Sequence, residues 1–414
     1  MKKGAVAKLA KFVRRQEKAF KVNMIRSAGN TLFNGLTDQF RSLYILRLGA
    51  TAFELGLVNS IAGTAATAIA LPTGWFADRH GIRRVFLLGS PLIILGSLLF
   101  ALALDWRLTI PAMLLTLLAN QLFHIACPMV CGSYLKSEER ATGKQLCDTV
   151  SLLPTLVAPM VAAVLISNFG GLNSEGIRPL YFLQTFGFSL VALFTYKYYF
   201  DPCKSQSCAT RSNFTGELGQ VFGKGTAVKE WTVFFFLSSS TYFMSLTYLP
   251  AFITEIKHGD EFIVGGVTAA SMMLTLLLAL PLGRAADTFG RKKVLYATIP
   301  LYCASILLLI YAENATMLLI SGALQGFYLL SAVTQGAITA ELVPVSHIGK
   351  WYGILNLCRG LSSIVAPLVG GLIWSIIGAE YVFFFIVLTE ASRLTILLML
   401  IPETLPKKRV PEAQ

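Results

Sequence analysis

The sequence predicts an all-α integral membrane protein whose twelve spanning helices form two homologous halves of six. Three observations carry this reading. Hydrophobic residues make up 55% of the 414-residue chain and charged residues only 14%, and the apolar ones gather into runs long enough to cross a bilayer. One segment is written twice: Leu71-Pro72-Thr73-Gly74-Trp75-Phe76-Ala77-Asp78-Arg79-His80-Gly81-Ile82-Arg83-Arg84-Val85 returns as Leu280-Pro281-Leu282-Gly283-Arg284-Ala285-Ala286-Asp287-Thr288-Phe289-Gly290-Arg291-Lys292-Lys293-Val294, displaced by 209 positions. A second pair, Val157-Ala158-Pro159-Met160-Val161 and Val365-Ala366-Pro367-Leu368-Val369, repeats at a displacement of 208, so the halves are parallel copies. The third observation is the sidedness of the charge. With the first residue inside, 27 of the 35 Lys and Arg fall on the tails and the even-numbered loops with their margins, and four (Arg47, Arg107, Arg178, Lys257) on the opposite loops. That asymmetry is the positive-inside rule, with both termini cytoplasmic.

The elements follow in order. The apolar runs lie near 22–47, 53–76, 84–104, 108–134, 145–168, 179–200, 231–255, 262–284, 293–312, 315–341, 350–377 and 380–402. Lipid offers backbone groups no partners, so each run is read as a helix. Ahead of span 1, residues 1–21 form a basic tail in which Val6, Leu9, Val13 and Phe20 recur at helical spacing. It reads as an interfacial helix on anionic headgroups or as an organellar targeting segment; such tails commonly set orientation, which favours the first. The first half occupies 22–200 and the second 231–402, joined by a cytoplasmic linker at 201–230 that is rich in Gly, Ser and Lys; residues 403–414 form the C-terminal tail.

Several function classes are excluded. The net charge of +13 is distributed by topology rather than gathered on one folded face, which argues against nucleic acid. Short connections leave no room for a soluble catalytic domain, and no Gly-x4-Gly-Lys-Ser/Thr phosphate loop occurs, so the chain is not read as an enzyme. The seven cysteines do not read as a disulfide framework. On span 4, His124, Cys127 and Cys131 have a spacing that would suit a soft metal, but cysteines in apolar spans are usually packing residues, and no metal site is assigned. Asn314-Ala315-Thr316 is a sequon of a kind that arises often by chance. No cofactor is expected; the work must draw on a proton or cation gradient.

Gly74-x3-Asp78-Arg79-x-Gly81-x-Arg83-Arg84, joining spans 2 and 3, resembles the signature loop of the major facilitator superfamily, and Gly283 to Lys293 resembles it again with Thr288 where a basic residue is usual. The resemblance covers nearly the whole chain, including paired Pro159 and Pro367 and Pro402-Glu403-Thr404 after span 12. It implies two pseudo-symmetric six-helix bundles rocking around a central site in a plasma or inner membrane, acting as a monomer on a small-molecule solute. The chemistry of the loop can be argued separately. Gly74 and Gly283 allow close helix approach. Asp78 and Asp287 can accept backbone N–H groups at a helix start. Arg79, Arg83, Arg84, Arg291 and Lys292 supply basic partners, while Gly81 and Gly290 complete the motif. Together these residues read as a breakable cytoplasmic gate.

Clues to the solute lie in polar residues inside spans. Arg26, Asn30, Asn34, Asp38 and Arg41 recur at helical spacing on span 1, a span that lines the cavity in this superfamily. An ionised group at the bilayer centre costs about 2.5–3.5 kcal/mol on insertion scales, so it usually faces water or a partner. Asp38 is read as a proton or cation site responding to Arg41; the plainer reading is a self-neutralising pair. Asn120 and His124 on span 4, Tyr242 and Tyr248 on span 7, Gln325, Tyr328 and Gln335 on span 10, and Asn356 and Arg359 on span 11 are the remaining cavity candidates. Arg359 would bind an anionic solute or pair with Asp38. Glu390 and Arg393 on span 12 are read as a structural pair, because that span is peripheral in the superfamily. Span 5 reads Ala158-Pro159-Met160-Val161-Ala162-Ala163 where drug–proton antiporters carry Gly-Pro-x2-Gly-Gly. Leu118 precedes Gln121 where they place an arginine. Asp201-Pro202-Cys203 also departs from the sugar-porter Pro-Glu-Ser element. The reading is a gradient-driven transporter of a small organic solute, with proton-coupled export ahead of anion import or uniport, and a non-transporting receptor or assembly protein behind both.

Overall fold

A computed structural model of the chain describes residues 14–135, 140–199, 227–343 and 348–403. Most of the basic tail, most of the linker and nearly all of the C-terminal tail therefore lie outside the described residues. So do the side chains of 70–80, 125–128, 132–133, 140–142, 145 and 348–350. All twelve runs form helices. Span 1 comprises Lys18–Thr37 and Arg41–Arg47; then come Ala52–His80, Ile82–Ala101, Thr109–Tyr134, Arg140–Asn168 and Ser174–Tyr198. Span 7 is Val228–Ala251 with a π-helical turn at Phe252–Ile256, and Glu261–Phe289, Arg291–Ile310, Ala315–Glu341, Ile348–Ile376 and Ala379–Met399 follow. Ten of the twelve are apolar enough to be membrane spans on length and hydropathy alone. The two that are not are span 1 and span 7, the first helix of each half, which suits helices that carry polar side chains.

The chain divides into two compact units, Met1–Thr210 and Arg211–Gln414. The repeat is visible in how helices pack within each. In the first unit, span 1 lies against spans 5 and 6, span 4 against 2 and 3, and span 3 against 6. In the second, span 7 lies against 11 and 12, span 10 against 8 and 9, and span 9 against 12. Adding six to each span number in the first set gives the second set. Parallel sequence copies have thus produced parallel packing.

Each unit is apolar outside and partly polar inside. Leu193, Leu277, Val333 and Leu388 are all exposed, whereas Gln184, Thr241, Ser305, Ser321 and Ser362 are buried. Lipid hydrates no hydroxyl, so most span hydroxyls return a hydrogen bond to the carbonyl one turn earlier, as Thr116 does to Ala112 (2.9 Å) and Thr275 to Ser271 (2.8 Å).

Close packing between spans 8 and 10 depends on Gly322 and Gly326, a small-x3-small pair. A Cβ on Gly322 would lie 2.7 Å from Val267 Cα, and one on Gly326 would lie 2.6 Å from the Ser271 carbonyl. Those neighbours are backbone and cannot rotate away. Gly283 behaves differently. A Cβ there would meet nothing within 4 Å, so the close helix approach expected of it does not occur in this unit. Overpacking by a large side chain costs about 1–3 kcal/mol. Gly322→Leu should therefore lower the melting temperature and the monodisperse yield of the purified protein, whereas Gly283→Ala should change neither. Size-exclusion chromatography with a thermal melt checks both.

Candidate functional site

The predicted single polar face of span 1 is interrupted. The helix ends at Thr37, and Phe40 N–H turns back to the Thr37 carbonyl at 3.0 Å. Side chains supply the reason. Gln39 Nε2 donates to the Gly35 carbonyl (2.8 Å) and Thr37 Oγ1 to that of Asn34 (3.3 Å), so local side chains take up carbonyls at the broken helix end. Arg26 also leaves the expected face. It is buried, donates to Asn23 Oδ1 at 3.0 Å, and lies between the rings of Phe86 (4.4 Å) and Phe123 (4.9 Å). Its role is therefore within the core of the first unit.

What remains is a compact group at the break. Arg41 Nη2 donates to Asp38 Oδ1, the carboxylate side chain is 46% exposed, and the arginine side chain is 16% exposed. The pairing expected of the plain reading is present, yet the acid still faces outward. Arg41 Nη1 lies 3.9 Å from Met113 Sδ, and its Nε is buried with no hydrogen-bond partner. Gln184 of span 6 donates to Thr37 Oγ1 (2.9 Å) and Asn34 Oδ1 (3.3 Å), which ties Asn34 to the group. Asn30, one turn earlier, is half-buried. Tyr181 of span 6 feels the charges of both Asp38 and Arg41, and its ring stacks on Phe100 at 4.9 Å. Gln184 and Tyr181 were missed in the sequence because isolated polar residues in an apolar span give no periodic signal. On span 4, Asn120 is half-buried and His124 is exposed, and Cys131 is buried. Cys127 lies outside the described side chains.

The second unit gathers an aromatic group. Tyr242 stacks on Tyr328 (centroids 5.8 Å apart, planes 17° apart), and Arg359 lies 5.9 Å from the Tyr242 ring centre. Asn356, three residues before Arg359, is exposed like it. Tyr328 donates to the Ser238 carbonyl at 2.9 Å. Gln335 and Gln325 depart from expectation. Gln335 is buried, accepting from Ser238 Oγ (3.3 Å) and donating to Ser331 Oγ (3.2 Å). Gln325 is buried too and donates to Ser321 Oγ at 3.4 Å. Both amides satisfy themselves inside the bundle. Tyr248 is likewise buried, its hydroxyl 2.5 Å from the Pro367 carbonyl.

The repeated motif is mostly helical. Span 2 continues to His80 and span 8 to Phe289, and each chain turns only at the following glycine. Gly81 (φ 80°) and Gly290 (φ 115°) both adopt backbone angles that L side chains resist. Gly74, Asp78 and Arg79 lie outside the described side chains; Arg83 and Arg84 are exposed. In the second copy Asp287 does not cap a helix start. It sits in the last turn of span 8, exposed, with Arg291 Nη2 at 4.0 Å. The start of span 9 is capped by Glu403 instead. Its carboxylate accepts the backbone N–H groups of Arg291 (3.2 Å) and Lys292 (3.2 Å), where the helix dipole favours negative charge. Arg291 also pairs with Glu341 at the end of span 10, and Lys292 Nζ donates to the Ile401 carbonyl at 2.6 Å. Span 9 is thereby tied to spans 8, 10 and 12 through one short stretch.

Removing that cap should matter measurably. Glu403→Ala should lower stability by about 1 kcal/mol, and Glu403→Gln, which keeps an acceptor but loses the charge, by less. Thermal unfolding in detergent, wild type against both variants, checks the order.

Comparison with known proteins agrees with the architecture. The family model for the Major Facilitator Superfamily matches residues 23–265 and 231–414. Multidrug resistance protein MdtG of Proteus mirabilis is 28% identical over 153 residues, 36% of this chain and 38% of that protein. Tetracycline resistance protein, class B, of Escherichia coli is 28% identical over 125 residues, 30% of this chain and 31% of that one. The chain thus spans well under half the length of these curated relatives. Among solved structures, the nucleoside transporter NupG superposes with a TM-score of 0.74 at 14% identity, covering 92% of this chain and 98% of that one. A bacterial homolog of the human lysosomal transporter Spinster, in an inward-facing and occupied conformation, gives 0.69 at 12% identity, covering 92% and 95%. At those identities the likeness is one of fold. With the family model matched across both halves and twelve spans in two packing-equivalent units, the chain belongs to the major facilitator superfamily and is a multi-pass membrane protein.

Proposed function

We propose that this transporter moves a small organic solute by alternating access, coupled to protons through Asp38, with export favoured over uptake. The observation that carries the reading is the Asp38–Arg41 pair at the break in span 1. A carboxylate that remains 46% exposed while paired to a partly buried arginine can exchange a proton with water, and arginine is the partner whose own charge does not titrate away. The similarity to multidrug and tetracycline resistance proteins supports efflux of an organic compound. In this reading the chain acts as a monomer in a plasma or inner membrane with both termini cytoplasmic, and the turns at Gly81 and Gly290 form its cytoplasmic gate.

A second reading has its own observation. Arg359 is exposed over the Tyr242–Tyr328 stack, an arrangement that suits an organic anion carrying an aromatic ring. Under that reading the chain imports or equilibrates anions, and Arg41 and Arg359 set affinity. A receptor or assembly protein that moves nothing is disfavoured, because duplicated turn motifs serve no purpose in a rigid scaffold.

A ligand screen on the purified protein separates the solute classes. A compound present at a hundred times its Kd adds about 2.7 kcal/mol to apparent stability, which a thermal-shift assay detects readily. With a hit in hand, Asp38→Asn should abolish proton-driven transport in vesicles while leaving counterflow exchange measurable. Full proton-driven transport by that variant would refute the coupling role. Insensitivity of the wild type to a proton gradient, with affinity lost in Arg359→Gln, would favour the anion reading.

A further inference from the structure

Span 12 carries an ion pair that the transport reading leaves unused. Glu390 and Arg393 stand three residues apart near the middle of that helix, with side chains 1% and 0% exposed. Arg393 uses one nitrogen, Nη1, for both carboxylate oxygens, at 2.7 Å each. Its guanidinium carbon lies 4.6 Å from the centre of the Phe234 ring. The other edge of the guanidinium, Nε and Nη2, is buried without a hydrogen-bond partner.

This is a poor design for stability. Replacing a buried ion pair by apolar residues of similar volume is often neutral or stabilising, and a partly satisfied polar network is worse than an apolar core. Ionisable side chains are also rare in membrane helices and usually mark a pathway. The surroundings are specific. Span 7 faces the Glu390 carboxylate with Thr241. Span 9 brings Tyr302 and Cys303, and span 10 brings Tyr328, all of which feel the pair's charges. Span 11 adds Cys358 to the same core cluster, while its Arg359 lies over Tyr242 instead. Glu255, in the π-helical turn that also touches span 12, is exposed at the end of span 7. Among the described residues, Arg393 is the full counter-charge that faces Glu390.

We propose that Glu390 is a proton-binding site inside the second unit, exchanging a proton against its pairing with Arg393 and separate from Asp38. When ionised, the carboxylate is held by Arg393 Nη1. When it takes a proton, the carboxyl becomes neutral, and the guanidinium keeps its place over the Phe234 ring. Tyr328 links the pair to the cation-bearing face. It senses both charges and stacks on Tyr242 beneath Arg359.

The test needs no solute, so its failure would leave the transport reading intact. The full-length protein in lipid nanodiscs is followed by pH-difference infrared spectroscopy from mildly acidic to mildly alkaline pH. A protonated-carboxyl band should be present at acidic pH, vanish in Glu390→Gln, and persist in Asp38→Asn. Because Glu390→Gln strands a buried arginine, the paired variant Glu390→Gln/Arg393→Gln is measured alongside. It should elute as the wild type does and lack the same band. A pair that serves structure alone stays ionised throughout. Carboxyl bands that all survive both Glu390 variants, or a wild type with no such band, would overturn the assignment.

Discussion

A bilayer interior offers no hydrogen-bond partner to a peptide group, and the rest of the structure answers to that constraint. Every described span is helical, so its backbone bonds close within the segment. Span hydroxyls fold back onto carbonyls one turn earlier, as at Thr116 and Thr275. Buried amides find partners within reach, as Gln335 does between Ser238 and Ser331. Ionised groups obey the same rule. Asp38 with Arg41 and Glu390 with Arg393 are both pairs at a separation of three residues, so each charge enters the membrane with its counter-charge on the same segment.

Where the rule is locally relaxed, chemistry becomes possible. Around Asp38 the helical ladder is interrupted: the Gln39 side chain donates to the Gly35 carbonyl, and Thr37 adds a second donor to the Asn34 carbonyl that Asp38 N–H already bonds. The break turns Arg41 toward Met113 and leaves the acid outward, whereas an unbroken helix would have continued the row that began at Arg26. The two ion pairs differ for a related reason. Asp38 belongs to a helix end with access outward, while Glu390 lies in the middle of an intact helix under aromatic rings.

Where spans 2 and 8 end, the duplicated motif serves two functions that the sequence does not separate. Gly81 and Gly290 make the turns, and their positive φ values explain the glycine in both copies. The charges are deployed less symmetrically than the letters. Asp287 stays on the helix that ends, and Glu403, 112 positions beyond Arg291, caps the helix that begins. A carboxylate just beyond span 12 thus completes a motif written between spans 8 and 9.

The twelve spans, the two halves and the membrane class were legible in the sequence, because hydropathy and internal repetition depend on composition along the chain. Asp38 and Arg41 were legible as a pair for the same reason, being three residues apart. Gln184 and Tyr181 beside them, and Glu341 and Glu403 around Arg291, were not. Each reaches its partner from a different helix, and no spacing rule connects helices distant in sequence. The same limit applies to Gln325 and Gln335, since a polar residue on an apolar span faces either a cavity or the bundle interior. Sequence alone determined how many spans this chain carries and that they form a repeat, because those follow from local polarity and from copying. Only the tertiary structure decided which polar groups meet and which helix start receives a carboxylate. Those contacts depend on helix rotation and depth, and packing alone sets both.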